Sequence, residues 1–417
     1  MVTYNMAMMR KIFWVLAFST LAWSVGAWGA SPRPKVRAIT AFVRVDPAHP
    51  DAPFDAAMKF LDAARQAFRA SGFEVEGVRI STQPFPDYTR SLARADALSL
   101  LNRIDDLART RGFMLNIGPA MLHDSDGTAS VDLLAEFLSK VPRANASLVV
   151  AAEDGIHWGS LRQAARLIKT VSERSPHGQG NLNFGAIAML KEYCPFFPAS
   201  WHTGSKQAFA VGLEGANVVA DVFAREHSPV AAQELLTSEL SVHLRDAEAI
   251  AQRVAASSGW EYEGIDPTPA PLGDVSIARA FESFLGAPFG SSGTMTAAAI
   301  VTRAVQSVPV KRVGYSGLML PVLEDSVLAK RWSEGTFNMD SLLAYSAVCA
   351  GGLDTVPLPG DISEERIARI VGDVATLAYK WNKPLCARLL PIPGRKAGEQ
   401  TEFNDSRMGN VTIQSIR

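Results

Sequence analysis

Residues 36–82 begin with the β-rich segment VRAITAFVRV (36–45), continue with PFDAAMKFLDAARQAFRASG (53–72) and end with FEVEGVRIST (73–82). The first and last segments are rich in β-branched residues, as strands are, while the middle segment repeats apolar residues at helical spacing. Gly72 closes the helical pattern, because glycine readily adopts the left-handed conformation that ends many helices. A strand, a helix and a second strand in this order predict a βαβ unit with parallel strands.

The same alternation continues along the chain. Apolar runs such as FMLNIGPA (113–120) and SLVVAA (147–152) have the composition of strands, and LRQAARLIKTVSER (161–174) has the helical period. Two runs nearer the end, VGYSGLML (313–320) and GNVTIQSI (409–416), also read as strands. Alternating elements predict an α/β fold with a mostly parallel sheet covered by helices. No long linker interrupts the pattern, which favours a closed barrel or one large domain over two separate domains.

Composition excludes several classes of protein. Of the 417 residues 47% are hydrophobic, and 41 lysines and arginines nearly balance 42 aspartates and glutamates. A disordered chain would be less apolar and further from neutrality. A net charge of −1 gives no positive field of the kind that a non-specific nucleic-acid-binding protein needs. Three cysteines in so long a chain cannot form a disulfide framework. We therefore expect a globular protein with a large core and no nucleic-acid partner.

The first thirty residues differ from the rest. Arg10 and Lys11 precede the uncharged apolar run IFWVLAFSTLAWSVGAW (12–28), and small residues follow it. This layout predicts a signal peptide at residues 1–30, and thus export to the periplasm or secretion. The alternative is an uncleaved anchor, because the 17 apolar residues just reach the length that spans a bilayer. Only in that case would the membrane be a partner. Residues 31–417 are predicted to form a single large α/β domain.

Two loops carry side chains suited to acid–base or metal chemistry. His202 lies among aromatic residues in CPFFPASWHTGSKQ (194–207), where it could act as a general base, bind a metal, or pack with satisfied ring nitrogens. Asp266 and Asp274 bracket the proline-rich IDPTPAPLGD (265–274), and Asp274 also suits the N-cap of the next helix. Because α/β proteins bind ligands where strands end, these side chains are candidate site residues.

A glycine-rich turn and a further carboxylate complete the candidates. GSSGTMT (290–296) enters a helix, and it could bind an anion or simply cap that helix. It lacks the lysine of a Walker loop. Asp354 follows two glycines that end a helix, at a predicted turn where a carboxylate could bind a ligand. The residues of the turn that could contact an anion are Gly290, Ser291, Ser292, Gly293, Thr294 and Thr296.

The segment KRVGYSG (311–317) is close to the sequence around the radical glycine of glycyl radical enzymes. It is one residue short, and Cys349 follows it, whereas the radical enzymes carry their cysteine well before the glycine. Export would also separate the protein from a cytosolic activase. We therefore predict no glycyl radical. Cys349 itself is expected to be a buried small residue, because no basic residue lies near it in the sequence.

Several of these motifs resemble the domain-of-unknown-function 711 family, also called uncharacterised protein family 0210. The resemblance runs from VRAITAFVRVD (36–46) through FFPASWHTG (196–204) to KPLCARLLPIPG (383–394), and residues 266–361 are its most specific part. It implies a fold similar to that of pyruvate formate-lyase, without the radical machinery. Such a fold is a closed α/β barrel of about ten strands, in two parallel halves surrounded by helices. The resemblance implies no particular reaction.

Inside such a barrel, loops from distant segments could meet at the strand ends. The resulting hypothesis is a non-radical enzyme acting on a small anionic metabolite, such as an amino, hydroxy or keto acid, by lyase, isomerase or hydrolase chemistry. His202 is the predicted acid or base, and Asp266 and Asp354 are the predicted electrostatic or metal-binding groups. Arg79 is the predicted counter-ion near the glycine-rich turn.

Two other roles stay open at this stage. An exported binding protein would hold the same small molecule without catalysis, and an assembly role would require a large exposed apolar face. A divalent metal and a homo-oligomer are compatible with the sequence, which identifies neither the metal nor the substrate.

Overall fold

The computed structural model describes residues 32–416. The predicted signal peptide, residues 1–30, lies outside the described residues. Among the helices of residues 32–416, none is both long and apolar enough to cross a membrane.

Ten strands of the described residues form one sheet. Their bounds are β1 (Lys35–Val43), β2 (Val78–Thr82), β3 (Met114–Pro119), β4 (Asn145–Ala152), β5 (Gly155–Ile156), β6 (Phe184–Ala188), β7 (Ala208–Glu214), β8 (Glu261–Asp266), β9 (Gly352–Pro359) and β10 (Leu385–Ile392). The strand order is β8-β7-β1-β2-β3-β4-β6-β10-β9, with β5 attached to β4. β1, β2, β3, β4 and β6 are mutually parallel. On either side of these five strands lies a further pair, β7 with β8 and β10 with β9. The two strands of each pair are parallel to each other and antiparallel to the five central strands.

Helices connect the strands and cover the sheet. Their bounds are α1 (Ala52–Ala70), α2 (Pro86–Thr89), α3 (Arg94–Arg111), α4 (Ala129–Leu138), α5 (Trp158–Arg174), α6 (Ala216–Arg225), α7 (Pro229–Ser258), α8 (Ile277–Leu285), α9 (Thr294–Ser307), α10 (Ser326–Glu334), α11 (Met339–Ser346) and α12 (Glu364–Trp381), with a 3-10 helix at Pro176–Asn183. In α1 the buried residues Phe54, Leu61 and Phe68 share one side, and this side packs on β1 and β2. The predicted α/β fold with a mostly parallel sheet is confirmed.

Two of the predicted strands are wrong. Residues 313–320 form no strand, because the amides of Tyr315 and Ser316 donate to the carboxylate of Asp266 instead of to a neighbouring strand. Residues 409–416 make only one isolated bridge, between Gln400 and Thr412. Apolar composition alone predicted both strands, and it does not report where the backbone amides find acceptors.

The path of described strands has two ends, β8 and β9, so strand pairing alone does not close a barrel. The segment 312–321 lies between these ends. It bridges to β8 through Ile265 and Arg312, and to β9 through Pro321 and Asp354. This segment therefore takes the position that one further strand would occupy.

The connection from β6 to β7, residues 189–207, runs across the inner face of the sheet, and we call it the inner loop. The hydroxyl of Thr40 on β1 donates to the Pro195 carbonyl at 3.0 Å. The amide of Asn116 on β3 donates to the Pro198 carbonyl at 2.7 Å. A buried loop must find partners for its backbone groups, and here the polar side chains of the strands provide them. Side chains of β1 and β3 thus hold the inner loop against one face of the sheet.

Candidate functional site

A cavity of about 260 Å³ lies between the inner loop and the surrounding strands. Phe196, Phe197 and Pro198 of the inner loop form part of its wall. Its charged lining residues are four arginines and three carboxylates, namely Arg37, Arg79, Arg388, Arg407, Glu76, Glu324 and Asp354. Two of these, Arg79 and Asp354, are predicted site residues, so the cavity brings together two of the candidates.

Arg79, on β2, is a buried cation. It is 7% exposed, and no carboxylate of the described residues forms an ion pair with it. Its Nη1 donates a long hydrogen bond of 3.4 Å to the Pro195 carbonyl, its Nε has no hydrogen-bond partner in residues 32–416, and its guanidinium lies 5.0 Å from the centre of the Phe197 ring. Burial lowers the pKa of Arg79 to about 9, and repulsion from Arg37 adds to this effect. The side chain stays charged at neutral pH, and the carboxylates that attract it, Glu324 and Glu76, form no ion pair with it.

Arg388, on β10, lies between two carboxylates. Its Nη2 is 2.6 Å from Oε1 of Glu324, and its Nε is 2.7 Å from Oδ1 of Asp354. Burial raises the pKa of Asp354; Arg388 opposes this shift and Glu324 reinforces it. Burial alone would lower the pKa of Arg388, but attraction to Asp354 and Glu324 outweighs it and the pKa is raised. Two carboxylates thus share one guanidinium, which leaves one negative charge in excess.

Asp354 lies within β9, so its predicted position at a turn is wrong. The turn-like signal came from the two glycines before it, and the second of them is the first residue of the strand. Thr355, the next residue, has a φ of 49°, which a β-branched residue rarely adopts. Its hydroxyl accepts a hydrogen bond from the amide of Leu323 at 3.1 Å. Such backbone conformations cost about 1–3 kcal/mol and cluster at functional sites.

A second charged group borders the cavity at Arg37, on β1. Its Nη1 lies 2.9 Å from Oε2 of Glu214 and 3.4 Å from Oε2 of Glu76. Burial raises the pKa of Glu214 to about 7, although Arg37 opposes the shift. Sequence reasoning missed Arg37, Arg388 and Glu324. A signal was available for the first two, since an arginine inside an otherwise apolar strand must face a counter-charge or a ligand.

Asp266, at the end of β8, does not line the cavity. It is fully buried. Its Oδ1 accepts from the amide and hydroxyl of Thr268 and from the amide of Ser316, and its Oδ2 accepts from the amide of Tyr315 at 2.7 Å. Burial raises the pKa of Asp266 to about 6, and these hydrogen bonds oppose the shift. The carboxylate therefore holds the turn at residues 314–317 in place.

His202 lies in the inner loop and is fully buried. Its Nε2 is 3.0 Å from the Val43 carbonyl, and its ring packs against Phe42 with 5.7 Å between ring centres. Burial lowers the pKa of His202 to about 4, so the imidazole is neutral at pH 7. It does not line the cavity that contains Arg79 and Asp354. The ring packs in the core, but its Nδ1 is buried without a hydrogen-bond partner among residues 32–416, so the packing alternative with satisfied ring nitrogens holds only in part.

The glycine-rich turn before α9 is also outside the cavity lining. The amide of Gly290 donates to the hydroxyl of Thr294 at 3.1 Å, and that hydroxyl donates to the Ser291 carbonyl at 2.8 Å. A Cβ on Gly290 would lie 2.3 Å from the carbonyl oxygen of Thr336, so the turn packs tightly against that segment. The structure does not bring the turn together with Arg79. At α8 the N-cap is Ser276, not Asp274.

Gly314 lies against both Asp266 and Cys194. A Cβ at this position would lie 2.1 Å from Oδ2 of Asp266 and 3.2 Å from Sγ of Cys194, and its φ is +69°. One argument against a radical glycine is therefore wrong, because the cysteine that faces Gly314 precedes it in the chain. Burial raises the pKa of the Cys194 thiol well above its ordinary value. Cys349 is buried as predicted. That the protein carries no glycyl radical stays a prediction.

Comparison with known proteins finds the same family that the sequence motifs resemble. A family model described as "Uncharacterised ACR (DUF711)" matches residues 31–405. A "UPF0210 protein" of Pyrobaculum arsenaticum is 30% identical over 82% of this chain and 79% of its own length. "UPF0210 protein MK1214" of Methanopyrus kandleri is 28% identical over 91% of each chain. Among solved structures, the anaerobic ribonucleotide reductase from Thermotoga maritima with MES in the active site is similar at a TM-score of 0.38. That match has 10% identity and covers 85% of this chain and 75% of that one.

Proposed function

This chain belongs to the DUF711 family, and we propose that it binds a small organic anion in the cavity beside Arg79 and acts on it by acid–base chemistry. The observation that carries the proposal is the buried guanidinium of Arg79, which no carboxylate of the described residues pairs with. A buried charge without a partner lowers the stability of the folded protein by roughly several kcal/mol. A bound anion would supply the missing counter-ion, and the cavity offers it room.

The size of the cavity limits the ligand. An apolar cavity of about 150 Å³ holds benzene, so about 260 Å³ has room for roughly ten non-hydrogen atoms. A guanidinium donates two parallel hydrogen bonds to a carboxylate or a phosphate. Both properties favour a small carboxylic acid, such as an amino, hydroxy or keto acid, or a small phosphate ester.

Catalysis would depend on the carboxylates around Arg388. Burial raises the pKa of Asp354, and a carboxyl group shifted toward neutrality can accept and return a proton. In this proposal Arg79 orients the anionic group of the ligand, and Asp354 exchanges a proton with it. The strained backbone at Thr355 supports the choice of Asp354, because it fixes the direction of the adjacent side chain.

The second candidate is a binding protein without turnover. The pairing of Arg388 with both Glu324 and Asp354 favours it, since each carboxylate already accepts a hydrogen bond. Asp354→Asn discriminates between the two. An enzyme would lose turnover of its substrate while still binding it, and a binding protein would show no turnover of any small acid before or after the change.

Ligand-dependent thermal unfolding tests the binding step, with succinate and inorganic phosphate as probes. We expect at least one of them to raise the unfolding temperature of the purified protein in a saturable way. Arg79→Met should abolish this rise. Arg369→Met, which changes an arginine that is 74% exposed on α12, serves as the matched control and should leave it intact. An equal rise in Arg79→Met would show that the anion binds elsewhere.

Three further properties belong to the same proposal. We propose that segment 312–321 completes a barrel by filling the gap between β8 and β9, which its bridges to both strands support. Such a barrel would resemble that of pyruvate formate-lyase. We also propose that the protein is exported and acts on its ligand outside the cytoplasm. Amino-terminal sequencing of the mature protein, with cleavage near Gly29 or Ala30, tests the export step.

A further inference from the structure

We propose that His123, Asp154 and His157 form a binding site for a divalent transition-metal ion. His123 lies in the loop after β3, Asp154 lies between β4 and β5, and His157 immediately precedes α5. The three side chains therefore meet where the parallel strands β3 and β4 end. The carboxyl ends of parallel strands are where α/β proteins commonly place their ligands.

The distances suit a metal ion. Nε2 of His157 is 2.8 Å from Oδ1 of Asp154, and Nδ1 of His123 is 3.6 Å from Oδ2 of Asp154. One ligand atom from each residue lies within 4.8 Å of the other two. A tetrahedral ion with bonds of about 2.0–2.1 Å keeps its ligand atoms roughly 3.3–3.4 Å apart. The observed spacing brackets this value, so small side-chain rotations would be enough to bind the ion.

The loops that carry the two histidines are fixed to each other. The carboxylate of Asp124, next to His123, accepts hydrogen bonds from the amides of Gly159 and Ser160 in α5 at 2.9 and 2.6 Å. The imidazole of His157 is 6% exposed, and its Nδ1 is buried without a hydrogen-bond partner among residues 32–416. Its Nε2 therefore faces Asp154 at the surface. Two of the three ligands are thus placed before any ion binds.

The donor set selects the class of ion. Imidazole nitrogens suit zinc, iron, nickel and copper, whereas magnesium and calcium prefer oxygen ligands. His123 and Asp154 are 58% and 59% exposed, so the remaining coordination positions face solvent. An ion with three protein ligands and an open position can bind a water molecule or a substrate atom. None of the three residues lines the cavity with Arg79, and the inference does not depend on the proposed function.

Zinc binding to the purified chain tests the proposal directly. The protein is prepared without a polyhistidine tag, treated with EDTA and titrated with Zn²⁺ in a calorimeter, with elemental analysis after dialysis. We expect one equivalent of zinc to bind, and His123→Ala and Asp154→Asn each to weaken binding at least tenfold. His49→Ala is the matched control, because Nδ1 of His49 lies 3.6 Å from Oδ2 of Asp46 without a second histidine of the described residues beside it. It should bind zinc as the unchanged protein does.

Because His123 is exposed, His123→Ala should not disturb the fold. Its unfolding temperature without zinc should equal that of the unchanged protein. Zinc should raise the unfolding temperature of the unchanged protein and of His49→Ala, but not that of His123→Ala. Zinc binding of equal strength in His123→Ala, or no saturable binding in the unchanged protein, would overturn the proposal.

Discussion

Replacing Arg79 with methionine should stabilise the protein while it removes anion binding. Methionine keeps most of the apolar stem of arginine and deletes the charge that burial disfavours. Burial of the guanidinium lowers its pKa from the ordinary value to about 9, and repulsion from Arg37 adds to this effect. At about 1.4 kcal/mol for each pKa unit, this shift corresponds to a free-energy cost of roughly 5 kcal/mol for keeping the buried side chain charged.

Part of that cost is offset in the folded protein. The guanidinium lies 5.0 Å from the centre of the Phe197 ring, a contact worth about 1–2 kcal/mol in a buried site. The 3.4 Å contact of its Nη1 with the Pro195 carbonyl is too long to add much. We therefore expect Arg79→Met to gain about 3–4 kcal/mol in the free energy of unfolding, which raises the midpoint by about 4 °C for a chain of this size.

Thermal unfolding at pH 7, with and without succinate or phosphate, measures both effects. At this pH the guanidinium is charged in the folded and the unfolded state, so the full cost of burial is present. Arg369→Met is the control and should change neither quantity, because its exposed ion pair with Glu365 contributes little. A lower midpoint in Arg79→Met would refute the reasoning, since it would mean that the folded protein already satisfies this charge.

Three further predictions concern Asp266, His202 and Gly314, none of which lines the cavity. Asp266→Asn should cost about 2 kcal/mol at pH 7, because the substitution replaces Oδ2 with an NH2 group, which cannot accept the hydrogen bond that the amide of Tyr315 donates. Since the pKa of Asp266 is raised to about 6, its contribution to stability should fall as the pH rises from 4 to 6, and urea unfolding of Asp266→Asn should lack this fall. The pKa of His202 is lowered to about 4, so protonation should cost the unchanged protein about 3 kcal/mol between pH 6.5 and 4, and His202→Gln should remove that loss while it keeps anion binding. Gly314→Ala should lower the unfolding temperature far more than Gly112→Ala, since Gly112 has a similar φ of +75° but open space around it; equal losses would mean that the contact with Asp266 is unimportant.

Local patterns predicted most of the fold and only part of the site. The βαβ unit at residues 36–82 was readable because the apolar period reports which face of an element is buried. Arg79 and Asp354 were both predicted as site residues, although Asp354 was predicted at a turn and lies in β9. Their proximity was not, because it depends on the curvature of a sheet in which β2 and β9 are far apart in the strand order. Residues 313–320 have the composition of a strand, yet Asp266 binds their amides, and no local pattern encodes that acceptor.

The inner loop explains why the charged groups lie inside the sheet rather than in the loops after the strands. A loop in that position needs polar side chains from the strands, and Thr40 and Asn116 hydrogen-bond its carbonyl groups. Arg79 has the same orientation, but its only hydrogen bond among the described residues is the long one to Pro195. The guanidinium is therefore more than a support for the loop, because a neutral residue would serve that purpose without the cost of burial. This difference between Arg79 and its neighbours on the sheet is the observation that favours binding of an anion in the cavity.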